Sequence, residues 1–454
     1  MDEKKFLKNN EEKKEDNYRF VNQVIKKKSI RPKDVLIRLG CIAGSAVLFG
    51  LIAAFVFVQF LPIVEKEEKT ASTIDFEEDH PAVVTEEAEP DTEQQAEDVS
   101  VPMVTQTPDS EQTVPPVDDS QEQGTGNDEE LDPIAAYSEM YDEMQVIAQN
   151  AMPFMVNVTG ISSDEDWFSV QNDNSKQASG LIIAENGPTV YILTEYKTVD
   201  TVDRVVVTFC DNSMVDGRYH MHDPNTGLTI LKVDKADMST ETRSAISVAT
   251  LGNSYRVYQG DAVIAIGSPM GYSNSVVYGQ ITSTTNTIST WDKQYNMLTT
   301  NMLGNSSGNG VLINLKGEVI GVVAQSFGNE DYENIIIGLP ISQLKSLIEK
   351  LSNGDDIPYI GIKGQSVTEE VANQTGMPKG IYVSAVKSNS PAFDAGIRNG
   401  DIITQFEGED IGSISQYTDK LFDTNAGAIV DLTIMRKSTE GYREFDFKVV
   451  SSTW

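Results

Sequence analysis

The sequence predicts a mostly β protein carried by a single transmembrane helix and a disordered acidic linker. Many short β-rich runs with turn signals follow one another between Met155 and about Thr300, which is typical of a barrel or a sandwich. Residues 39–61 contain no charged side chain, and residues 62–131 are rich in Glu, Asp, Gln, Thr, Ser and Pro. These observations divide the chain into an anchor, a linker and a folded region.

The uncharged stretch is long enough to cross a membrane. At 1.5 Å per residue, its 23 residues span roughly 34 Å, against a hydrocarbon core of about 30 Å. The alternatives are a buried core helix or a cleaved signal peptide, but the apolar region of a signal peptide usually has only about 7–15 residues. Residues 1–38 carry 12 Lys and Arg against 7 Asp and Glu. The positive-inside bias therefore predicts a single-pass cell-membrane protein with residues 1–38 in the cytoplasm and the C-terminal domains outside.

The linker carries much of the negative charge of the chain. Residues 62–133 hold 23 Asp and Glu and 2 Lys, and the whole chain has a net charge of −34. Because this composition buries too little apolar surface to fold, residues 62–131 are expected to be a disordered spacer. An acidic binding tail is the alternative. The charge also argues against nucleic acid as a partner, since such binding needs clustered positive charge.

An amphipathic helix is predicted at the start of the folded region. Asp132 is a suitable N-cap, and Pro133 suits the first helical position. Apolar residues then recur in steps of three and four, at Ile134, Tyr137, Tyr141, Met144, Ala148 and Ala151. This face is expected to pack either on its own domain or on another subunit.

Turn residues separate the β-rich runs that follow. Asn186-Gly187 predicts a hairpin between two of them. The predicted strands are Gly180–Ala184, Val190–Thr194, Arg204–Phe209, Thr229–Val233, Ala262–Ile266 and Val276–Thr282. A helix predicted at Ile341–Leu351 closes this domain, and residues 352–356 lead on to the next.

Two segments resemble a known family. Residues 260–271 read GDAVIAIGSPMG, which resembles the GDxVIAIGNPxG of the HtrA (Do-like) trypsin-type serine proteases. Residues 314–321 read NLKGEVIG, which resembles the segment just after the family's nucleophile loop. The resemblance covers roughly residues 135–450. It implies two six-stranded β-barrels, which we expect over residues 132–351.

Residues 357–450 resemble the C-terminal PDZ domain of that family. SPAFDAGI at 390–397 and NGDII at 399–403 resemble its SPAxxAGLxxGDxI. The sequence YIGI resembles its carboxylate-binding loop, which here comprises Tyr359, Ile360, Gly361 and Ile362. Such a domain adds an extended peptide to a sheet edge and holds the terminal carboxylate with backbone N–H groups. Protein or peptide C-termini are therefore the expected partners.

The resemblance implies a Ser-His-Asp triad, of which two positions are replaced in this sequence. Residues 192–199 read ILTEYKTV where the family has ILTNxHVV, which puts Lys197 at the His position. Residues 223–232 read DPNTGLTILK where the family has DPxTDLAxLK, which puts Gly227 at the Asp position.

Three residues compete for the position of the nucleophile. Residues 304–312 read GNSSGNGVL where the family has GNSGGPL. Alignment without a gap puts Gly308 at the Ser position. One inserted residue puts Ser307 there, and two put Ser306 there.

Two arrangements could still provide a catalytic base. Lys197 could activate Ser307 if desolvation lowered its pKa, although the neighbouring Glu195 would keep the ammonium charged. His220 or His222 could serve as a displaced base, but only if the first barrel were rearranged. An H-x-H pattern without a third ligand predicts no metal site. No cofactor is expected.

These patterns predict a membrane-anchored pseudoprotease that binds peptides or unfolded protein C-termini through its PDZ domain, in quality control or as an adaptor. The resemblance also implies assembly as a homotrimer through the N-terminal segment. An active serine endopeptidase of the same family with rearranged catalytic residues is the first alternative. A structural surface spacer is the second.

Overall fold

The computed structural model describes residues 73–80, 132–162, 176–328 and 334–454. The predicted cytoplasmic segment, the predicted membrane span at 39–61 and most of the predicted linker lie outside these ranges. Within the ranges described, no helix is both long enough and apolar enough to cross a membrane.

The folded region opens with helix α1 (Pro133–Ala151), as predicted. The side chain of Asp132 accepts a hydrogen bond from the backbone N–H of Ile134 (3.0 Å) and so caps the helix. Only the C-terminal half of the apolar stripe packs inward, where Ala148 and Ala151 are buried. Ile134, at the other end, is 77% exposed.

Six strands after α1 close into a barrel. Along each strand the apolar side chains either alternate with polar ones or form a continuous run, and each strand is long enough to pair with its neighbours. They are β1 (Met155–Ile161), β2 (Lys176–Asn186), β3 (Thr189–Glu195), β4 (Arg204–Thr208), β5 (Met214–His222) and β6 (Leu228–Asp234). The order around the barrel is β1-β2-β3-β6-β5-β4. The predicted turn at Asn186-Gly187 joins β2 to β3, with Gly187 at a φ of 58°. The short helices α2 (Tyr196–Val199) and α3 (Thr240–Ala245) follow β3 and β6.

A second closed barrel follows the first. Its strands are β7 (Ala262–Ser268), β8 (Ser275–Ser283), β11 (Leu298–Leu303), β12 (Asn309–Ile313), β13 (Val319–Val323) and β14 (Ile335–Pro340), in the order β11-β14-β13-β12-β7-β8. Between β8 and β11, the chain forms a separate hairpin of β9 (Thr287–Ser289) and β10 (Gln294–Asn296). The predicted double barrel is confirmed. The closing helix α4 (Lys345–Asn353) begins four residues later than predicted, after a 3₁₀ turn at Ile341–Gln343.

The last domain has the predicted PDZ fold. Its main sheet has the order β16-β17-β18-β20-β21, and β16 forms one edge. Its elements are β15 (Pro358–Tyr359), β16 (Ile362–Val367), α5 (Glu369–Thr375), β17 (Gly380–Val386), α6 (Pro391–Ala395), β18 (Ile402–Phe406), β19 (Glu409–Asp410), α7 (Ile414–Phe422), β20 (Ile429–Ser438), β21 (Gly441–Val450) and β22 (Ser452–Thr453). Helix α7 packs beside β16 and forms the second wall of a groove along that edge.

Residues 73–80, which we call the strap, lie against the double barrel. Ile74 is buried, and its backbone exchanges two hydrogen bonds of 2.9 and 2.8 Å with the side-chain amide of Asn353. The predicted disorder of residues 62–131 is therefore wrong for this segment. A few apolar side chains and two specific polar contacts are enough to hold it against the domain.

The second contact of the strap is a buried ion pair. The ammonium of Lys345 lies 2.7 Å from Asp79 Oδ2, and the two side chains are 8% and 10% exposed. The same oxygen of Asp79 accepts a hydrogen bond from the hydroxyl of Ser342 (2.6 Å). Because both charged side chains are buried, the pair helps to fix where the strap lies.

Replacing Asp79 by Ala should therefore destabilise the protein. The change leaves a buried ammonium without its carboxylate, which costs about 3 kcal/mol of unfolding free energy. Guanidinium unfolding of the full chain measures this loss. Glu77→Ala is the matched control, because it removes an exposed carboxylate from the strap but keeps the Glu77 carbonyl that Lys345 also contacts (3.1 Å). Equal losses in the two variants would contradict a specific role for the pair.

Candidate functional site

The predicted His position lies on α2, a single helical turn directly after β3. Lys197 occupies it, and its ammonium lies 2.9 Å from Glu195 Oε2. The lysine side chain is 56% exposed, whereas that of Glu195 is 16% exposed. Burial raises the pKa of Glu195, and the attraction of Lys197 partly offsets this rise. The ammonium is thus paired with a carboxylate and half exposed to water.

The predicted Asp position, Gly227, carries no side chain. Gly227 has a φ of 69°, and its backbone donates to Asp223 O (2.8 Å) and accepts from the N–H of Tyr196 (2.7 Å). The nearest acidic side chain of this loop, Asp223, is buried and accepts hydrogen bonds from the N–H and hydroxyl of Thr226 (2.9 and 2.7 Å). Asp223 therefore closes the loop, and its carboxylate is not available to orient a base.

The two histidines of β5 take part in packing contacts. His222 stacks on Tyr196, with ring centroids 3.7 Å apart, and its Nδ1 lies 2.8 Å from the hydroxyl of Tyr219. His222 thus lies next to the helix that carries Lys197. His220 Nε2 lies 3.2 Å from the carbonyl of Ser352, and burial lowers the pKa of His220. Both rings already have partners in the folded protein.

Asn305 closes the loop that holds the three candidates for the nucleophile. Its side-chain oxygen accepts from the backbone N–H and from the hydroxyl of Ser307, both at 2.8 Å. Its backbone carbonyl accepts from the N–H of Gly308 (2.7 Å). An acyl-transfer enzyme needs free N–H groups here to stabilise an oxyanion. In this loop the N–H groups of Ser307 and Gly308 are both bound to Asn305.

The candidates differ in what their side chains can reach. Ser306 and Ser307 are exposed, and the hydroxyl of Ser307 is bound to Asn305 while Lys197 is paired with Glu195. These contacts do not form a serine–lysine dyad. Gly308 is buried, and a Cβ added to it would lie 2.2 Å from the carbonyl oxygen of Pro269. This conformation therefore has no room for a serine at Gly308.

The two barrels pack closely beside β12, the strand that follows the nucleophile loop. Asn309, which is 4% exposed, accepts a hydrogen bond from the N–H of Ser179 on β2 (2.7 Å), and Ser179 Oγ lies 3.2 Å from Ser268 Oγ on β7. The cavity beside these residues has a volume of about 20 Å³. That volume holds about one water molecule and no peptide side chain.

The PDZ carboxylate loop already binds a carboxylate, that of Asp292 in the β9–β10 hairpin. Its Oδ2 accepts from the N–H groups of Ile360 (2.8 Å) and Gly361 (2.7 Å). Its Oδ1 accepts from the N–H of Ile362 (3.1 Å) and from the hydroxyl of Tyr417 on α7 (2.8 Å). Burial raises the pKa of Asp292, and hydrogen bonds from the loop and from Tyr417 oppose this rise.

Asp292 and Asn305 were not predicted from the sequence. Asn305 belongs to a motif in which only Ser306, Ser307 and Gly308 were considered for a role. Asp292 lies in a turn that no sequence pattern marks. The loop residues that bind Asp292 lie 68 to 70 residues further along the chain, and Tyr417 lies 125 residues further. Among the residues that the structure describes, no three His, Cys, Asp or Glu side chains are grouped closely enough to hold a metal ion.

Comparisons with known proteins agree with both domains. The trypsin-like peptidase domain family matches residues 178–322, and the PDZ domain family matches residues 358–446. In both domains the chain is similar to serine proteases of the HtrA (Do-like) type. The Do-like HtrA serine protease of Bacillus subtilis is 27% identical over 67% of this chain and 72% of its own length. The serine protease HhoA of Synechocystis is 34% identical over 52% of this chain and 61% of its own length.

Among solved structures, the HtrA-type protease AlgW with a tripeptide has a TM-score of 0.50. It is 21% identical and covers 68% of this chain and 97% of its own, which supports the fold alone. Three of the curated relatives extend well beyond the matched region. The chain spans 53–61% of their length.

Placing a serine at the gap-free position should disturb the loop and not create a nucleophile. Gly308→Ser is expected to lower the unfolding free energy by about 2 kcal/mol, because its Cβ overlaps Pro269 O. It is also expected to remain unlabelled by a fluorophosphonate. Ser307→Ala is the control, and its exposed side chain should change stability by less than about 0.5 kcal/mol. A stable, labelled Gly308→Ser variant would contradict the closed loop.

Proposed function

We propose that this HtrA-type protein binds peptides or unfolded protein C-termini on the outer face of a membrane and does not cleave them. The observation that carries the proposal is the loop closed by Asn305, which engages the N–H groups of Ser307 and Gly308. Lys197 and Gly227, at the positions of the base and its orienting carboxylate, support it further. A role in quality control or as an adaptor for an active protease fits this chemistry.

The rate acceleration expected from this arrangement favours binding over cleavage. An enzyme that lacks a triad member retains only about 10³–10⁴-fold acceleration over water, from its oxyanion hole and substrate binding. Here the positions of two members are replaced, and two N–H groups of the nucleophile loop, those of Ser307 and Gly308, are bound to Asn305. An ion-paired Lys197 supplies no base. Useful proteolysis by this arrangement is therefore not expected.

Peptide capture is assigned to the PDZ domain. The backbone N–H groups of Ile360, Gly361 and Ile362 point at a carboxylate, and β16 offers a sheet edge beside α7. An extended peptide could pair with that edge while its terminal carboxylate binds the loop. The loop would thus bind the end of a chain, and the edge strand would pair with the residues that precede it.

An active serine endopeptidase with rearranged residues is the second candidate. The relatives named above are described as serine proteases, and Ser306 and Ser307 are exposed. For this function the loop would have to open, release the hydroxyl of Ser307 from Asn305 and bring it to a base. His222 lies beside the helix that carries Lys197, and it is the histidine nearest in sequence to Ser306 and Ser307.

The purified full chain in detergent is expected to retain unfolded casein without cutting it. It should also remain unlabelled by a fluorophosphonate probe, since no activated serine is present. Deletion of residues 357–454 should abolish the retention. Cleavage with labelling that disappears in Ser306→Ala or Ser307→Ala would establish the endopeptidase instead. Retention that survives the deletion would remove the PDZ domain from peptide capture and favour the role of a surface spacer.

We also propose that residues 39–61 anchor the chain, with residues 1–38 in the cytoplasm, and that α1 joins three chains. Ile134 and Tyr137 on the outer half of α1 are 77% and 60% exposed, a large apolar area for one helix. A second and a third copy would cover this area in a homotrimer.

The full chain is therefore expected to stay in the membrane pellet after carbonate extraction. In detergent it should have the mass of three chains by light scattering. An Ile134→Ser, Tyr137→Ser double variant should remain in the pellet but run as a monomer, because it loses the apolar contact and keeps the anchor. Release by carbonate would contradict the anchor, and a trimeric double variant would contradict assembly through α1.

A further inference from the structure

The β9–β10 hairpin reaches from the second barrel into the groove of the PDZ domain. At its tip, Asp292 is 4% exposed and has a φ of 60°, a backbone conformation that side-chain-bearing residues rarely adopt. Its carboxylate receives the four hydrogen bonds from the PDZ loop and Tyr417 described above. A strained residue with a fully bound charge indicates a contact that the surrounding structure enforces.

The backbone of Asp292 also contacts both walls of the groove. Its N–H donates to the carbonyl of Ile362 (2.6 Å), at the start of edge strand β16. Its carbonyl accepts from the hydroxyl of Thr418 on α7 (2.8 Å). The last residue of a bound peptide would offer the same set of groups, namely a carboxylate for the loop and a backbone N–H for the strand.

We propose that Asp292 is an internal ligand of the PDZ domain, so that a peptide C-terminus binds only after the hairpin leaves the groove. This inference rests on the proposed peptide binding and names its regulation. The competition is direct, because Asp292 and an incoming terminal carboxylate need the same three N–H groups. While the carboxylate of Asp292 is bound to the loop, a terminal carboxylate is excluded. The N–H groups are already engaged, and the two negative charges repel each other.

The residues on either side of Asp292 connect its release to the double barrel. Trp291 lies under the ammonium of Lys363 (5.0 Å), and its carbonyl accepts from the side chain of Asn225 (3.1 Å). Lys293 donates to the carbonyl of Gln343 (2.7 Å), and burial lowers the pKa of Lys293 to about 8. The contacts with Asn225 and Gln343 hold the hairpin on the double barrel, whereas the contact with Lys363 joins it to the PDZ domain and is lost when the hairpin leaves the groove.

The closed state lowers the apparent affinity for peptides by the fraction of molecules that are open. Removing the carboxylate of Asp292 should raise that fraction. We expect Asp292→Asn to bind a terminal carboxylate at least tenfold more tightly than the unaltered chain. Asp292→Gly should do the same with a relaxed backbone, because glycine readily adopts the positive φ at this position.

The probe is a pool of random octapeptides with an N-terminal fluorescein and a free C-terminal carboxylate, titrated by anisotropy into the full chain in detergent. The same pool with C-terminal amides tests whether the carboxylate is read. Asp410→Asn is the control, since it removes an exposed carboxylate from the PDZ domain away from the groove. Tighter binding of the acid pool by both Asp292 variants, with Asp410→Asn unchanged, supports the inference.

Hydrogen exchange at the amides of residues 360–362, measured without peptide, gives an independent readout. These amides should be protected in the unaltered chain and in Asp410→Asn, and should exchange faster in Asp292→Gly while the amides of β17 stay protected. Unchanged protection in that variant would overturn the internal ligand.

The outcomes separate the two proposals. If the acid pool binds the unaltered chain and both Asp292 variants equally, peptide binding stands and the internal ligand is overturned. If no variant binds the acid pool in preference to the amide pool, the proposed peptide binding fails, and the inference fails with it. In that case, loss of amide protection in Asp292→Gly would identify the contact as a fixed interface between the domains.

Discussion

The burial of one carboxylate, that of Asp292, sets how the double barrel and the PDZ domain meet. Moving a carboxylate out of water costs several kcal/mol unless donors replace the lost hydration. Four hydrogen bonds do so here, three from Ile360, Gly361 and Ile362 and one from Tyr417. All four donors belong to the PDZ domain, and the acceptor belongs to the hairpin of the second barrel. This one side chain thus accepts four hydrogen bonds between the two domains.

Both functional loops of this protein share a physical feature. In each, oxygens of the chain itself bind the N–H groups that a substrate or ligand would use. Asn305 does this locally in the nucleophile loop, where it binds N–H groups two and three residues ahead. Asp292 does it from 68 residues away. The difference matters for reversibility, since a local turn is set by its own sequence, whereas a contact between domains opens when the domains move apart.

The sequence predicted the architecture well because barrels and helices leave local patterns. The strand runs, the turn at Asn186-Gly187 and the cap at Asp132 each depend on neighbouring residues. The strap was missed because its composition was averaged over an acidic stretch, which hid Ile74 and the acceptor Asp79. Composition measures the mean tendency to fold, and a segment of eight residues can depart from it when a docking surface is available.

The residues of the candidate site likewise divide into those that could be predicted from the sequence and those that could not. Lys197 and Gly227 could be placed from motif spacing, because the flanking strands β3 and β6 fix their positions. The conformation of the nucleophile loop could not, since three alignments were open and none of them predicts the hydrogen bonds of Asn305. Asp292 could not be found either, because its role depends on partners in another domain. Contacts across long sequence separations leave no periodic signal in a single chain.

The fold does not depend on the side chains at the two predicted triad positions, because its stability lies elsewhere. Lys197 is half in water, and a Cβ at Gly227 would meet nothing within 4 Å, so neither position contributes to the core. The barrels are joined instead through buried Asn309 and its hydrogen bond to Ser179. Loops that carry catalytic groups are separate from the packing that holds them. A chain can therefore exchange its catalytic residues for others and keep both the double barrel and the PDZ groove beside it.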